Sequence, residues 1–110
     1  MGVSKTSLFT KQQNEIALMA KALAHPARIA ILQYLVKVSS CVCGDVVEQL
    51  GLAQATTSQH LKELKKAGLI TGTIEGANVC YCIDPKAWKQ FRQVFGGFFK
   101  DDVNQDRNCC

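Results

Sequence analysis

The sequence lacks a long hydrophobic run. None of the apolar stretches in its 110 residues approaches the roughly 20 residues that a membrane-spanning helix needs. The N-terminus also lacks the continuous apolar segment of a secretory signal. We therefore expect a cytoplasmic protein with no membrane partner.

The sequence also lacks the usual signatures of a thiol enzyme. Its six cysteines include no Cys-x-x-Cys pair, and no phosphate-type loop surrounds any of them. These absences argue against a thiol-dependent reductase, so we expect that the chain is not an enzyme. Because the cytosol keeps thiols reduced, we expect no structural disulfide framework either.

What the sequence does have is cysteine in close pairs. The pairs are Cys41 and Cys43, Cys80 and Cys82, and Cys109 and Cys110. Such a placement favours ion ligation or redox chemistry over scattered packing.

The chain length fits one domain with a small core, so pairing with a second copy would add buried surface. The formal charge of +4 is compatible with a polyanionic partner.

Two helices are predicted in the first third of the chain. The first runs from Ser7 to Ala24, and its apolar side is Ile16, Met19, Ala20 and Leu23. His25-Pro26 ends it, and Pro26 suits the first turn of the next helix because its missing N–H leaves nothing unsatisfied there. The buried side of the second helix is predicted to be Ile29, Leu32, Leu35 and Val36.

A second helical pair follows. Ser39-Ser40 offers capping hydroxyls for a short third helix marked by Val46, Val47 and Leu50. After a tight turn, the fourth helix carries an apolar stripe of Thr57, Leu61 and Leu64 and stops at Gly68. Two short helices joined in this way form a helix-turn-helix, in which the second helix reads DNA. We expect small polar side chains near base edges (Thr56, Ser58, Gln59 and His60) and lysines on phosphates (Lys62, Lys65 and Lys66).

The last third of the chain predicts a β-hairpin and a closing helix. Residues from Leu69 alternate, turn at Glu75 to Asn78, and resume with Val79, Tyr81 and Ile83 on one face. A hairpin directly after a recognition helix is a wing. The aromatic stripe of the closing helix is too large to leave in water, so we assign it, with the first helix, to a dimer interface. The predicted interface residues are Ile16, Met19, Leu23, Trp88, Phe91, Phe95 and Phe98.

The predicted fold is therefore mainly α with a small β-hairpin, a winged helix-turn-helix (ααααββα) that forms a homodimer. Residues 1–100 are predicted to form the DNA-binding and dimerisation domain, and residues 101–110 a flexible tail that ends in cysteine.

The chain resembles the ArsR/SmtB family of winged-helix metalloregulatory repressors. The resemblance is carried by Ala22-Leu23-Ala24-His25-Pro26-Ala27-Arg28 with Ile31-Leu32, by Leu52 through Ser58-Gln59-His60-Leu61-Lys62-Glu63-Leu64 to Ala67-Gly68-Leu69-Ile70, and by Val79-Cys80-Tyr81-Cys82-Ile83-Asp84. It implies a homodimer that binds an imperfect inverted repeat in double-stranded operator DNA and leaves the DNA when an inducing ion binds. No permanently bound cofactor is implied.

The inducer signal is Cys41-Val42-Cys43, which resembles the arsenic-site motif Cys-Val-Cys-Asp-Leu-Cys of the arsenite-responsive branch. The third cysteine of that motif is absent. Soft thiolates suit As(III) and Sb(III), which prefer three sulfurs. Our first choice for the third ligand is Cys109 or Cys110, and for Cys80 and Cys82 we favour a packing role.

At the start of a third helix, ligation by both residues of a Cys-x-Cys motif has a cost. Residues i and i+2 point about 200° apart on a regular helix, so binding one ion would distort it and oppose DNA binding. A helix N-terminus would also favour the thiolate form.

His25 is expected to cap a helix, and Arg28 to reach a phosphate or pair with a carboxylate.

Three alternatives stay open at this stage. The cysteine pairs could form a redox switch, or they could sense Cd, Pb or Zn, although a zinc site on the last helix is disfavoured because residues 85–99 contain no histidine. A helix-turn-helix used only for protein contacts would show no salt-dependent DNA binding.

Overall fold

The computed structural model describes residues 8–43, 51, 54–73 and 80–103, except for the side chains of Gln54 and Ala55. In this part of the chain the elements are, in order, α1 (Lys11–Ala22), α2 (Pro26–Val38), β1 (Val42–Cys43), α3 (Gln54–Lys66), β2 (Ile70–Thr73), β3 (Cys80–Ile83) and α4 (Pro85–Phe98). The order confirms the predicted winged helix-turn-helix. The predicted short helix around Val46 and Leu50, and the tip of the wing, lie outside the described residues.

Helix α1 begins four residues later than the apolar pattern indicated, because Thr10 caps it. The Thr10 hydroxyl accepts a hydrogen bond from the Gln13 amide at 3.0 Å, and the Gln13 side chain accepts one from the Thr10 amide at 3.0 Å. This reciprocal arrangement satisfies two amides that the first turn leaves unpaired. Ala22 rather than Ala20 lies with Met19 on the buried side.

Helix α2 begins as expected and buries a face that only partly matches the predicted one. The Nδ1 atom of His25 accepts a hydrogen bond from the Ala27 amide at 3.0 Å, which confirms that His25 is the cap. The buried residues are Ile31, Leu32 and Leu35, whereas Ile29 and Val36 are exposed. Leu32 and Leu35 were predicted correctly and Ile29 and Val36 were not, because in this apolar helix several faces satisfy the helical period and only packing against α3 and β3 selects one.

Helix α3 matches its prediction closely. Thr57, Leu61 and Leu64 are all buried. The helix ends where Gly68 adopts a φ of 85°, a conformation that suits glycine. The backbone amide of Gly68 donates a hydrogen bond to the Lys65 carbonyl at 2.9 Å. The amide of Leu69 donates one to the Leu64 carbonyl at 3.1 Å. These bonds satisfy the end of the helix and direct the chain into β2.

The sheet has three strands where the sequence predicted two. Strand β3 lies in the middle and pairs antiparallel with β2 and with the short strand β1. Gly72 sits opposite Tyr81 with a φ of 128°, and a Cβ at this position would overlap the carbonyl oxygen of Cys80. The β2–β3 pairing therefore requires glycine at this position.

The core lies between the helical layer and the inner face of this sheet. Its fully buried members come from α2, α3, the strands and the residue before β2, and they are Ile31, Leu35, Leu64, Leu69, Ile70 and Tyr81.

Helix α4 is capped by Asp84, whose carboxylate accepts hydrogen bonds from the backbone amides of Lys86 and Ala87 at 2.9 and 3.2 Å. Within the described residues, no helix has both the length and the apolar character to cross a membrane.

Helices α1 and α4 pack against each other, with the Gln90 side chain donating to the Glu15 carboxylate at 3.2 Å. This packing changes the predicted dimer interface. Met19 and Phe91 are each only 8% exposed in a single chain, so they belong to its own core. Leu23, Trp88 and Phe95 are half-buried against that core, Ile16 is half-buried, and Phe98 remains 57% exposed.

Candidate functional site: the DNA-reading helix and the cysteine face

The outer side of α3 presents polar and cationic groups. Thr56, Gln59, Lys62, Lys65 and Lys66 are exposed and Ser58 is half-buried. The side-chain amide of Gln59 donates a hydrogen bond to the Glu63 carboxylate at 3.4 Å, so the Gln59 side chain lies along the helix surface. Because the apolar stripe of α3 is buried in the core, these groups face away from the domain. The arrangement suits a helix in the major groove of DNA.

His60 does not belong to this outer side. It is 6% exposed, and its Nδ1 atom accepts a hydrogen bond from Nε of Arg28 at 3.1 Å. The imidazole rings of His60 and His25 lie 4.2 Å apart between centroids. The expected contact of His60 with a base edge was therefore wrong, because position 60 adjoins the buried Leu61 and Leu64 on the helix surface.

Arg28 has an internal role that the sequence did not reveal. Its guanidinium donates to His60 and also to the carbonyls of Lys21 and Ala22, at 3.2 and 3.3 Å. In the described part of the chain it pairs with no carboxylate. Two of these bonds go to carbonyl groups at the end of α1, and the third, to His60, joins that end to α3.

The surroundings of His60 keep its imidazole neutral. Burial lowers the pKa of His60, and the neighbouring His25 and Arg28 lower it further. A neutral ring whose Nδ1 accepts from Arg28 carries its proton on Nε2, and that atom has no hydrogen-bond partner among the described residues. Protonation would convert Nδ1 of His60 from an acceptor into a donor, and a donor cannot bond to the guanidinium of Arg28. The hydrogen bond from Arg28 therefore requires the neutral form of His60.

Four cysteines meet on the sheet. The register places Cys43 directly opposite Cys80, and Cys41 continues it opposite Cys82. The Cα atoms of these pairs are 4.0 and 4.2 Å apart, and the Sγ atoms are joined as disulfides. The pairing contradicts the expectation of free thiols. We call these four residues the cysteine face.

Strand alternation explains why the cysteines share a face. Side chains two residues apart on a strand point the same way, and the intervening Val42 and Tyr81 pack against or within the core. The cysteines therefore point outward, where Cys41 and Cys43 are exposed and Cys80 and Cys82 are half-buried. The hydroxyl of Thr71 lies 3.8 Å from the Cys82 sulfur. A packing role for Cys80 and Cys82 was thus a wrong interpretation.

The predicted placement of Cys41 and Cys43 at the start of a helix was also wrong. Val42–Cys43 is a strand, so the two sulfurs lie on one side without any distortion of a helix. The sequence contained a signal for this arrangement, since both Cys-x-Cys motifs have the period of a strand. The residues predicted to supply the third ligand, Cys109 or Cys110, lie outside the described residues.

Comparison with known proteins agrees with this fold. The family described as "Bacterial regulatory protein, arsR family" matches residues 25–71, which include α2, β1 and α3. An HTH-type transcriptional regulator of Methanocaldococcus jannaschii is 40% identical over 68 residues, which are 60% of this chain and 75% of the relative. The chain belongs to the ArsR/SmtB family. Its relatives are transcriptional regulators, in agreement with the prediction that it is not an enzyme.

Two further members give the extent of the similarity. The HTH-type transcriptional repressor SmtB of Mycobacterium tuberculosis is 44% identical over 63 residues, or 57% of this chain. The chain spans about half the length of that relative, since the matched region is 46% of it. The structure of reduced HlyU from Vibrio cholerae superposes with a TM-score of 0.62 at 25% identity, covering 83% of this chain and 95% of HlyU.

Proposed function

We propose that this protein is a transcriptional repressor that binds operator DNA through α3. The observation that carries the proposal is the exposed polar and lysine-bearing side of α3, held outward by its buried stripe. Thr56, Ser58 and Gln59 lie near base edges, and Lys62, Lys65 and Lys66 neutralise phosphates. A two-fold symmetric dimer of such domains reads an imperfect inverted repeat with half-sites about one helical turn apart, or a multiple of that.

Self-association is part of the proposal. Leu18 on α1 and Phe98 on α4 are exposed apolar side chains, and so are Leu8, Phe9 and Phe99 nearby in sequence. Helices α1 and α4 pack together, so their exposed apolar groups can form one surface for a second copy. Sedimentation at micromolar concentration tests the dimer, with Leu18→Glu expected to yield monomers and Gln12→Glu, an exposed change on the same helix, expected to leave the dimer intact.

The inducer in this proposal is As(III) or Sb(III), bound through Cys41 and Cys43. The two soft sulfur ligands, Cys43 on β1 and Cys41 just before it, are exposed on the segment that follows α2 and precedes the DNA-reading helix. Ion binding there acts on the segment leading into α3, with a coupling free energy of about 1 to 3 kcal/mol. The DNA-bound and ion-bound states then compete.

Fluorescence anisotropy of the reduced protein on its own promoter DNA, titrated with arsenite, is the decisive experiment. We expect tight, salt-dependent binding, release by arsenite, and loss of release when both ligands are replaced, in Cys41→Ser with Cys43→Ser. Zinc serves as the control ion and unrelated DNA as the control sequence. No preference for promoter DNA over unrelated DNA would contradict the repressor, and release that persists in the Cys41→Ser, Cys43→Ser variant would contradict the assigned ligands.

The disulfides support a second candidate, a thiol redox switch with the same DNA-binding helix. Each cysteine pair loses two protons and two electrons on oxidation, and a peroxide can accept them to form two waters. Comparing DNA affinity in excess reductant with affinity after peroxide treatment tests the switch. Equal affinity in the two states, with disulfide formation verified by free-thiol titration, would reject it.

A further inference from the structure

The structure assigns the missing sulfur ligands to Cys80 and Cys82. We propose that the reduced cysteine face is one ion site, in which Cys43 from β1, Cys41 just before it, and Cys80 and Cys82 from β3 surround a thiophilic ion. The inference rests on the proposed function and deepens it, because it completes the ligand set within a single chain. In this proposal Cys80 and Cys82 take the place of Cys109 or Cys110 as the source of the third sulfur.

The strand register carries the first step of the argument. Cross-strand partners lie 4.0 and 4.2 Å apart between Cα atoms, and neighbours along a strand are about 7 Å apart, twice the rise per residue. All four side chains leave the same face of the sheet. Their sulfurs therefore form a compact rectangle above the strands, within which short side-chain rotations bring three or four sulfurs to one centre.

The disulfides provide the second step. Each Sγ atom reaches the Sγ atom of its cross-strand partner in this structure. Sulfurs bound to one ion lie farther apart than sulfurs in a disulfide, since a zinc–sulfur bond alone is about 2.3 Å. Reduction therefore lets each pair open around an ion with the strands remaining paired. Cys41 and Cys43 are exposed, so an ion enters from solvent.

The chemistry of the site admits two coordination types. Arsenous acid would form three As–S bonds with three thiols and release three waters, leaving one thiol free. A divalent ion such as Cd²⁺ would take four thiolates after four protons leave. Oxidation of both pairs removes all four ligands, so ion binding and disulfide formation exclude each other.

The site links two segments on either side of the DNA-reading helix. Strand β1 follows α2, whereas β3 pairs with β2, which follows α3 directly. An ion that bridges β1 and β3 thus fixes the segment before α3 relative to the wing. Ligands from both strands are required for this link, and Cys41 with Cys43 alone would not provide it.

The test compares matched double variants of the full chain, reduced and kept free of oxygen. Arsenite is titrated while the remaining reactive thiols are counted, and wild type is expected to lose three per chain. Cys80→Ser with Cys82→Ser should weaken arsenite binding at least about tenfold, and Cys109→Ser with Cys110→Ser should leave it unchanged. The single variant Cys80→Ser, which retains three sulfurs of the face, guards against a folding defect and should keep arsenite but weaken Cd²⁺ binding.

The outcomes separate the two proposals. If the tail variant loses arsenite and the strand variant keeps it, the inference is overturned although an arsenic-responsive repressor stands. If Cys41→Ser abolishes arsenite binding and the Cys80, Cys82 variant binds as wild type does, the inference is again overturned. A wild-type protein that binds promoter DNA but neither arsenite nor Cd²⁺ would overturn both the site and the proposed inducer.

Discussion

Arg28 donates a hydrogen bond from its Nε atom to Nδ1 of His60 at 3.1 Å, which ties the start of α2 to α3. The same guanidinium donates to the carbonyls of Lys21 and Ala22 at the end of α1. One side chain therefore joins three helices. The orientation of α3, and with it the direction of its lysines, depends on a contact that never needs to touch DNA.

Replacing Arg28 should destabilise the fold. Arg28→Met keeps much of the aliphatic stem and removes three hydrogen bonds, so we expect the free energy of unfolding to fall by about 1 to 3 kcal/mol. Urea denaturation monitored by circular dichroism measures it. Arg92→Met, an exposed change on α4, is the matched control and should stay within about 0.5 kcal/mol of wild type. Equal effects of the two substitutions would contradict the internal role of Arg28.

The stability of the protein should depend on pH through His60. Because burial lowers the pKa of His60 below its ordinary value of 6.5, the unfolded chain binds a proton that the folded chain does not. The free energy of unfolding should therefore decrease as the pH falls through 6.5. Urea unfolding at a series of pH values measures this slope, and His60→Gln should flatten it. A slope that is the same in wild type and His60→Gln would assign the dependence to other groups.

The polar side of α3 predicts two kinds of DNA-binding defect. Lys65→Ala removes a phosphate contact, so it should weaken binding to all sequences and reduce the slope of log affinity against log salt by about 1. Gln59→Ala should relax discrimination at one base position, by about 1 to 3 kcal/mol. Anisotropy with the operator and single-base variants at several salt concentrations distinguishes them. Identical behaviour of the two variants would show that the sides of the helix are wrongly assigned.

Gly72 should tolerate no side chain. Gly72→Ala would push a Cβ into the backbone of β3 at a φ of 128°, and we expect a loss of at least about 2 kcal/mol in unfolding free energy. Gly96→Ala on α4 is the control, since nothing lies within 4 Å of the position that its methyl group would take and the residue is helical. It should stabilise by about 0.5 to 1 kcal/mol. Thermal unfolding of both variants checks the opposite signs.

Features with a local cause were predictable from the sequence. The buried stripe of α3, the cap at His25 and the end of α3 at Gly68 each depend on residues within one or two turns. The same holds for the β2–β3 hairpin, whose alternation places Tyr81 inward. These signals are read directly from spacing and residue type, without knowledge of the rest of the fold.

Features with a distant cause were not predictable in this way. A segment as short as Val42–Cys43 has little intrinsic preference for the strand conformation. It forms a strand because it pairs with β3. His60 borders the buried stripe of α3, and the partner that satisfies its imidazole there, the guanidinium of Arg28, lies 32 residues earlier in the sequence. The buried face of α2 is likewise set by its packing against α3 and β3. Tertiary contacts therefore determine the formation of β1, the position of His60 and the buried face of α2.

The β1–β3 pairing also bears on the order in which the protein assembles. Partners in the β2–β3 hairpin are close in sequence, whereas Cys43 and Cys80 are 37 residues apart. Closing that longer loop costs more chain entropy, so in the reduced protein β1 should dock after the hairpin has formed and detach before it opens. The backbone amides of β1 should then exchange with deuterium faster than those of β3. Brief excursions of this edge would give solvent and ions access to the sulfurs while the remainder of the domain stays folded.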